Sequence, residues 1–283
     1  MAKEQLKIFT TKKELSNYLD FNRRNSKTVG FVPTMGALHD GHFSLIKLAA
    51  KKSDIIVCSI FVNPTQFNDP KDLEKYPRPI EEDIRKLKLS SCNVLFLPET
   101  AEMYSTEEKW HADLGEIENA LEGQYRIGHY QGVTQIVKKL FDTVQADFAF
   151  FGQKDYQQFC VIQKMVRLFN IPIKLILCPT VREKTGLAMS SRNIYLSENQ
   201  LKNALKLSEV LELTKRNFKL KSLEQLKTEA FSILTKDDDI KPDYFEICTM
   251  DDLKPATMKD KPLIALVAAY VGTTRLIDNI ILN

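Results

Sequence analysis

The sequence predicts an α/β chain with a parallel-sheet N-terminal domain and a smaller α+β C-terminal domain. Three observations predict it. Up to about Thr180, short apolar runs rich in Val, Ile and Phe alternate with segments of helical period. Near Val181 the order changes, so that two long helical patterns come first and strand-like runs follow. A length of 283 residues suits one large domain or two ordinary ones.

The runs Thr28–Pro33, Asp54–Val62, Asn93–Leu97, Asp147–Phe151 and Lys174–Cys178 are nearly continuous in apolar residues, as strands covered on both faces must be. The segments between them are amphipathic. His42–Lys52 puts Leu45, Leu48 and Ala49 on one face, and Glu81–Leu89 turns Ile84 and Leu87 inward. Gln131–Val144 carries Ile136, Val137, Leu140 and Val144, and Asp155–Phe169 carries Phe159, Ile162, Val166 and Phe169. Right-handed crossovers then bring all strand C-termini to one edge, beyond which ligands bind. This is a Rossmann-like sheet over residues 1–180. A polar loop, Arg182–Asn193, leads to helices at Glu198–Leu220 and Leu223–Leu234 and strands at Asp243–Thr249, Leu263–Val271 and Arg275–Leu282. Residues 181–283 thus form the α+β domain.

Composition narrows the partners. Lys+Arg of 40 against Asp+Glu of 37 leaves a net charge near +3, too little to mark a nucleic-acid or membrane surface. No apolar run is long enough to span a bilayer, and MAKEQLKIFTTKKEL has no apolar stretch of the secretory kind. Five cysteines without a CxxC pair read as buried free thiols of a cytoplasmic protein.

Four segments could carry chemistry. PTMGALHDGH, Pro33 to His42, follows the first apolar run and holds two of the four histidines. Gly36 and Gly41 permit tight turns, and a helix starting near Gly41-His42 would offer free N–H groups and a positive dipole end to an anion. Histidines there would donate to phosphate oxygens and, as imidazolium, offset charge on a leaving group. A zinc site is less well supported, because no Cys or third His is near. Taken alone, the two rings fit a turn and a plain helix start equally well. SIFVNPTQFN ends a buried strand at Asn63-Pro64 and adds the amides Gln66 and Asn68, which suit a polar small molecule or an ordinary turn. FFGQKDYQQ places Lys154 at the ligand edge, with Asp155 as an N-cap and Gln157 or Gln158 toward the cleft. LAMSSRN, with two hydroxyls and Arg192, reads as a mobile phosphate clamp or a solvated linker. Neither GxGxxG nor GxxxxGK[ST] is present, which argues against a common dehydrogenase or P-loop ATPase.

Together the segments are far more specific. PTMGALHDGH resembles the HxGH signature of the nucleotidyltransferase superfamily, and AMSSRN resembles its second phosphate loop. The set PTMGALHDGH, FVNPTQF, DLEKYPR, FFGQKDYQQ, PTVRE, GLAMSSRN and VGTTRLIDN closely resembles the pantoate–β-alanine ligase family. The resemblance runs from about Val29 to Asn193 and returns at the C-terminal tail. The first two dozen residues and the helices around 198–240 add nothing specific to it.

The resemblance implies a two-step ligation. ATP and pantoate give pantoyl adenylate and pyrophosphate, and β-alanine then displaces AMP to give pantothenate. It implies His42 as the proton-donating histidine, with His39 at a nucleotide contact. Met35, Gly36, Ala37, Leu38, His39, Asp40, Gly41 and His42 together match the ATP-binding turn. Gly152, Gln153, Lys154, Asp155, Val181, Met189, Ser190, Ser191 and Arg192 match the other ATP contacts. Gln66 and Gln158 match the pantoate-binding glutamines, Gln66 also serving β-alanine, with Asn63 in the same pocket. Mg²⁺ would accompany the phosphates without a dedicated protein cage. A homodimer through the N-terminal domain and a closing C-terminal domain are also implied. The chain departs from the family at Gln153, where Glu is usual; an amide keeps size and acceptor capacity but loses charge. The alternatives are a nucleotidyltransferase that stops at the nucleotide adduct and a nucleotide-binding regulatory module without turnover. The amide-rich pocket and the extra domain favour the ligase.

Overall fold

The architecture was obtained as a computed structural model that describes residues 5–105, 108–236 and 238–283. The first four residues of the expected N-terminal domain, and of the stretch MAKEQLKIFTTKKEL, lie outside the described residues. The chain opens with β1 (Lys7–Phe9), α1 (Lys12–Arg24), β2 (Val29–Thr34), α2 (Asp40–Ala49) and β3 (Ile55–Ile60). It continues through α3 (Pro70–Lys75), α4 (Ile80–Leu89), β4 (Val94–Phe96) and the short α5 (Thr100–Met103) and α6 (Glu122–Tyr125). Then come α7 (His129–Val144), β5 (Phe148–Gly152), α8 (Tyr156–Leu168) and β6 (Lys174–Cys178). The C-terminal part holds α9 (Glu198–Asn217), α10 (Leu223–Leu234), β7 (Ile240–Thr249), β8 (Leu263–Val271) and β9 (Thr274–Ile281).

The first six strands form one parallel sheet in the order β1-β4-β3-β2-β5-β6. All five strands expected from the apolar runs are present. Their two covers explain the missing alternation: Phe31, Val57 and Phe96 face a core with α1, α7 and α8, while Val32, Cys58 and Leu95 face α2 and α4. Phe31, Phe96, Phe141 and Phe150 are fully buried, and cutting one to Ala would cost about 3–5 kcal/mol.

The N-terminal two dozen residues do more than the motifs suggested. Thr11 caps α1 by accepting from Glu14 N, Leu15 and Leu19 enter the core, and β1 pairs with β4. The helix expected from Gln131 starts two residues earlier, at His129, after Gly128 at φ 77°.

The remaining strands form an antiparallel sheet, β7-β8-β9. β8 is the unbroken run LIALVAAYV because both of its faces are covered. Val267 and Ala269 pack on α9 and α10, whereas Leu266 and Ala268 pack against Tyr130, Tyr156 and Val161 of the first unit. Polar ties cross the same junction. Arg275 holds Glu122 through two bonds of 2.6 and 2.8 Å and Asp243 through one of 2.7 Å, and Tyr244 Oη donates to Glu122 at 2.8 Å. Each buried charge has a partner, which is what makes its burial tolerable.

Candidate active site

Chain order places the site. From β2 the chain runs outward through β3 to β4, and it then returns to β5 on the other side of β2 and runs outward to β6. The gap between the C-terminal ends of β2 and β5 is therefore the switch point, where a crevice opens. A cleft of about 260 Å³ lies there. The turn carrying His39 and His42 leaves β2, and Lys154 and Asp155 leave β5.

Most of the expected residues meet at this cleft. Met35, His39, Gly41 and His42 line it from the β2 turn, and Gly152, Lys154, Asp155 and Gln158 from the β5 side. Asn63 and Gln66 form part of its wall, and Val181, Met189, Ser190, Ser191 and Arg192 close another side. Gly36, Ala37, Leu38, Asp40 and Gln153 are not among the lining residues. Leu38 is core, 2% exposed, and Asp40 faces solvent.

The β2 turn departs from the expected amide cradle. Its N–H groups are mostly taken by the protein itself. Gly36 N donates to Thr34 Oγ1, Ala37 N and Leu38 N to the Asp83 carboxylate, and His39 N to His42 Nδ1. Gly41 N donates to His39 Nδ1. Side chains, not these amides, are what the turn offers a phosphate.

The charge expected on the histidines is also corrected. Burial, then nearby Lys154, lowers His39 to about 4, and burial, then His39 itself, lowers His42 to about 3. Both rings are neutral near pH 7. Since each accepts a backbone N–H at Nδ1, at 3.2 Å for His39 and 3.3 Å for His42, the proton resides on Nε2. The rings lie 4.1 Å apart between centroids, tilted by 40°, and present N–H donors.

Gln66 and Asn63 work as a pair. Asn63 is fully engaged: its amide donates to Gly132 O at 3.0 Å and Gln66 Oε1 at 3.2 Å, and it accepts from Tyr104 Oη at 2.6 Å. It thereby sets the Gln66 amide, whose Nε2 meets Met35 Sδ at 3.1 Å. Gly132 makes this possible, since a Cβ there would stand 2.3 Å from Thr65 O. Of the two glutamines opening α8, Gln157 is tied to Ile117 O, Ala120 O and Glu122 N. Gln158 is the one whose amide stands open to the cleft.

Asp155 stands at the α8 N-cap position, yet its side chain makes no capping bond. It pairs with Lys154 at 3.3 Å. Burial opposes its charge, but Lys154 and Arg192 hold its carboxyl below the usual value. Gln153 turns away, donating to Asn279 Oδ1 at 3.2 Å, while Asn279 Nδ2 donates to the carbonyls of Gln153 and Lys154. Residue 153 is thus part of a strap between the two sheets. Arg192 reaches Asp72 at 3.1 Å.

Two functional candidates escaped the sequence reading. Arg126 lines the cleft and makes no ion pair or hydrogen bond through its guanidinium with any described residue. His129 shares Nδ1 with Gln66 O at 2.8 Å and is lowered to about 3, by burial first and Arg126 second. The signal was there: Gly128-His129 opens a helix after a tight turn, as Gly41-His42 does within its own. Among the described residues, no group of three or more His, Cys, Asp or Glu could hold a metal ion, and no helix is long and apolar enough to cross a membrane. The five cysteines are buried and unpaired.

Comparison with known proteins gives one consistent result. The Pantoate-beta-alanine ligase family profile matches residues 7–281. Pantothenate synthetase of Thermotoga petrophila is 42% identical over 280 residues, covering 98% of this chain and all of that protein. That of Aquifex aeolicus is 42% identical over 275 residues, covering 96% and 97%. The crystal structure of pantothenate synthetase from Thermus thermophilus matches with a TM-score of 0.92 at 36% identity, covering 97% of this chain and 98% of that one. That of the Francisella tularensis pantoate-beta-alanine ligase, complexed with beta-gamma ATP and beta-alanine, matches with a TM-score of 0.81 at 35% identity, covering 98% and 97%.

Proposed function

The chain belongs to the pantoate–beta-alanine ligase family and condenses pantoate with β-alanine using ATP, and we propose that it does so through a pantoyl adenylate formed in the cleft between β2 and β5. The observation that carries this reading is the convergence of two neutral N–H-donating rings, a lysine and two amides at the switch point.

In the first step a pantoate carboxylate oxygen attacks the α-phosphorus of ATP. The bond from that phosphorus to the bridging oxygen breaks, and pyrophosphate leaves with the electron pair. His42 and His39 donate Nε2–H to phosphate oxygens, and Lys154 supplies a full positive charge beside them. Ser190, Ser191 and Arg192 close over the phosphates, while Val181 and Met189, joined by Met189 N to Val181 O at 3.0 Å, wall the nucleoside. Met35 and Gly41 complete the wall of the turn, and Gly152 leaves room for the nucleotide, with no atom within 4 Å of where its Cβ would be. Gln66 and Gln158 hold pantoate, with Asn63 fixing Gln66. In the second step the β-alanine amine attacks the acyl carbon, the bond to the AMP oxygen breaks, and a proton leaves the nitrogen. Arg126 supplies the cation that the spectator carboxylate of β-alanine needs.

Mg²⁺ fits this site as a partner of the nucleotide: Asp155, whose carboxylate lines the cleft, would help to hold it, and it would neutralise phosphate charge. The wider reading is a cytoplasmic homodimer joined through residues 1–180, with residues 181–283 as a closing unit.

Product analysis tests the reading. AMP should accumulate in step with pantothenate, and in quantity only when ATP, pantoate and β-alanine are all present. AMP formed in quantity without β-alanine would overturn the ligation.

A further inference from the structure

α4 carries a carboxylate where its inward stripe calls for an apolar side chain. Ile80, Ile84 and Leu87 pack toward the sheet, and Asp83, on the same stripe, is 0% exposed. It does not line the cleft. Its two oxygens accept Ala37 N at 2.8 Å and Leu38 N at 2.7 Å. One turn further along α4, Lys86 Nζ donates to Leu38 O at 3.1 Å.

These contacts converge on the most strained part of the active-site turn. Gly36 has φ 84° and Ala37, which is not glycine, has φ 50°. A left-handed pair at this point needs an outside agent to over-determine it. A buried carboxylate accepting two consecutive N–H groups is such an agent, and a neutral side chain is not. Burial pushes the Asp83 carboxyl up, and the two N–H groups and Lys86 pull it back. The two residues it holds lead directly into His39, whose N–H and Nδ1 set both rings.

Resting on the adenylation reading above, we propose that Asp83 is a positioning residue for the adenylation half-reaction: it never meets substrate, and it sets the His39–His42 pair by fixing the backbone of residues 36–38. Lys86 assists at the next peptide group, through the Leu38 carbonyl. The acyl-transfer half-reaction, in which the amine attacks an adenylate already formed, does not need this setting.

The test separates the halves. Asp83→Asn keeps the volume but sets an NH2 donor against one of the two N–H groups. Pantoate-dependent exchange of pyrophosphate into ATP should fall about 10- to 100-fold in kcat, with the KM for ATP changed less than about threefold. Pantothenate formation from supplied pantoyl adenylate and β-alanine should stay within about twofold of the unaltered enzyme. Exchange within twofold of the unaltered enzyme would overturn the proposal, and so would an equal fall in both half-reactions, the mark of general damage. Should Asp83→Asn fail to fold, Lys86→Met decides: its side chain is half-exposed, and it should lower exchange in the same selective way by about three- to tenfold. Unchanged exchange in that variant would then overturn the proposal. If the unaltered enzyme itself shows no exchange, the adenylation reading fails first, and separately.

Discussion

The two segments of the cleft proposed to face the phosphates are built to different standards. The turn between β2 and α2 is locked: most of its amides are occupied, its carboxylate strut is buried, and Leu38 inside it is core. The segment 189–192 is held by Met189 N to Val181 O, by a short turn that Ser190 caps, and by a partly exposed pair between Arg192 and Asp72. Tyr195 Oη donating to Lys75 O adds one more tie to α3. A partly exposed ion pair contributes little and can open. A rigid donor array suits charge that develops in a transition state, because nothing need reorganise as it appears. A loosely held arginine suits a group that must open for the nucleotide and close over it. Under the proposed function, the difference suits the first segment to chemistry and the second to capture.

The largest expected effect is at the locked turn. His42→Ala should lower the adenylation rate about 10²- to 10⁴-fold while circular dichroism and the thermal midpoint stay near those of the unaltered chain. Near-normal turnover would remove His42 from the chemistry and erase the distinction between the segments. A smaller effect is expected at the loose one. Asp72→Ala frees Arg192, so the KM for ATP should move by no more than about threefold and the thermal midpoint hardly at all. A fall in kcat comparable to that of His42→Ala would show that the Arg192 loop is as preorganised as the turn.

The smallest effect concerns pH. The folded chain keeps His42 at about 3 and His39 at about 4, below the 6.5 of a free ring. Above pH 6.5 neither state binds these protons, so they add no slope. From about 6.5 down to about 4 the unfolded chain binds protons that the folded one refuses, and stability falls as pH falls. Chemical denaturation of the unaltered chain and of His42→Ala should therefore give a stability difference that is flat above pH 7 and shrinks or inverts in favour of the variant on acidification. A difference independent of pH across that window would mean that the ring is not held neutral.

Much of this was legible in residues. Strands buried on both faces had to read as unbroken apolar runs, so β2, β3 and β5 and the ligand edge beyond them followed. The convergence of PTMGALHDGH, FVNPTQF, GQKDYQQ and AMSSRN followed from the family resemblance, since no local rule links segments so far apart. The rest depended on directions that a sequence does not carry. Asp155 looked like a cap because position favours it, but Lys154 competes for its carboxylate. The turn looked like an amide cradle because its glycines suit one, but Asp83, some 45 residues on, occupies those amides. Asp83 did break the apolar period of α4, and Gly128-His129 did announce a second ring beside Gln66. Both signals are weak until the fold brings Asp83 under the β2 turn and His129 to the cleft.

The most direct test is exchange of labelled pyrophosphate into ATP by the unaltered enzyme, with pantoate present and β-alanine withheld. Exchange that requires pantoate, and proceeds without β-alanine, is expected if the cleft between β2 and β5 makes an acyl adenylate. No exchange, or exchange only after β-alanine is added, would contradict it.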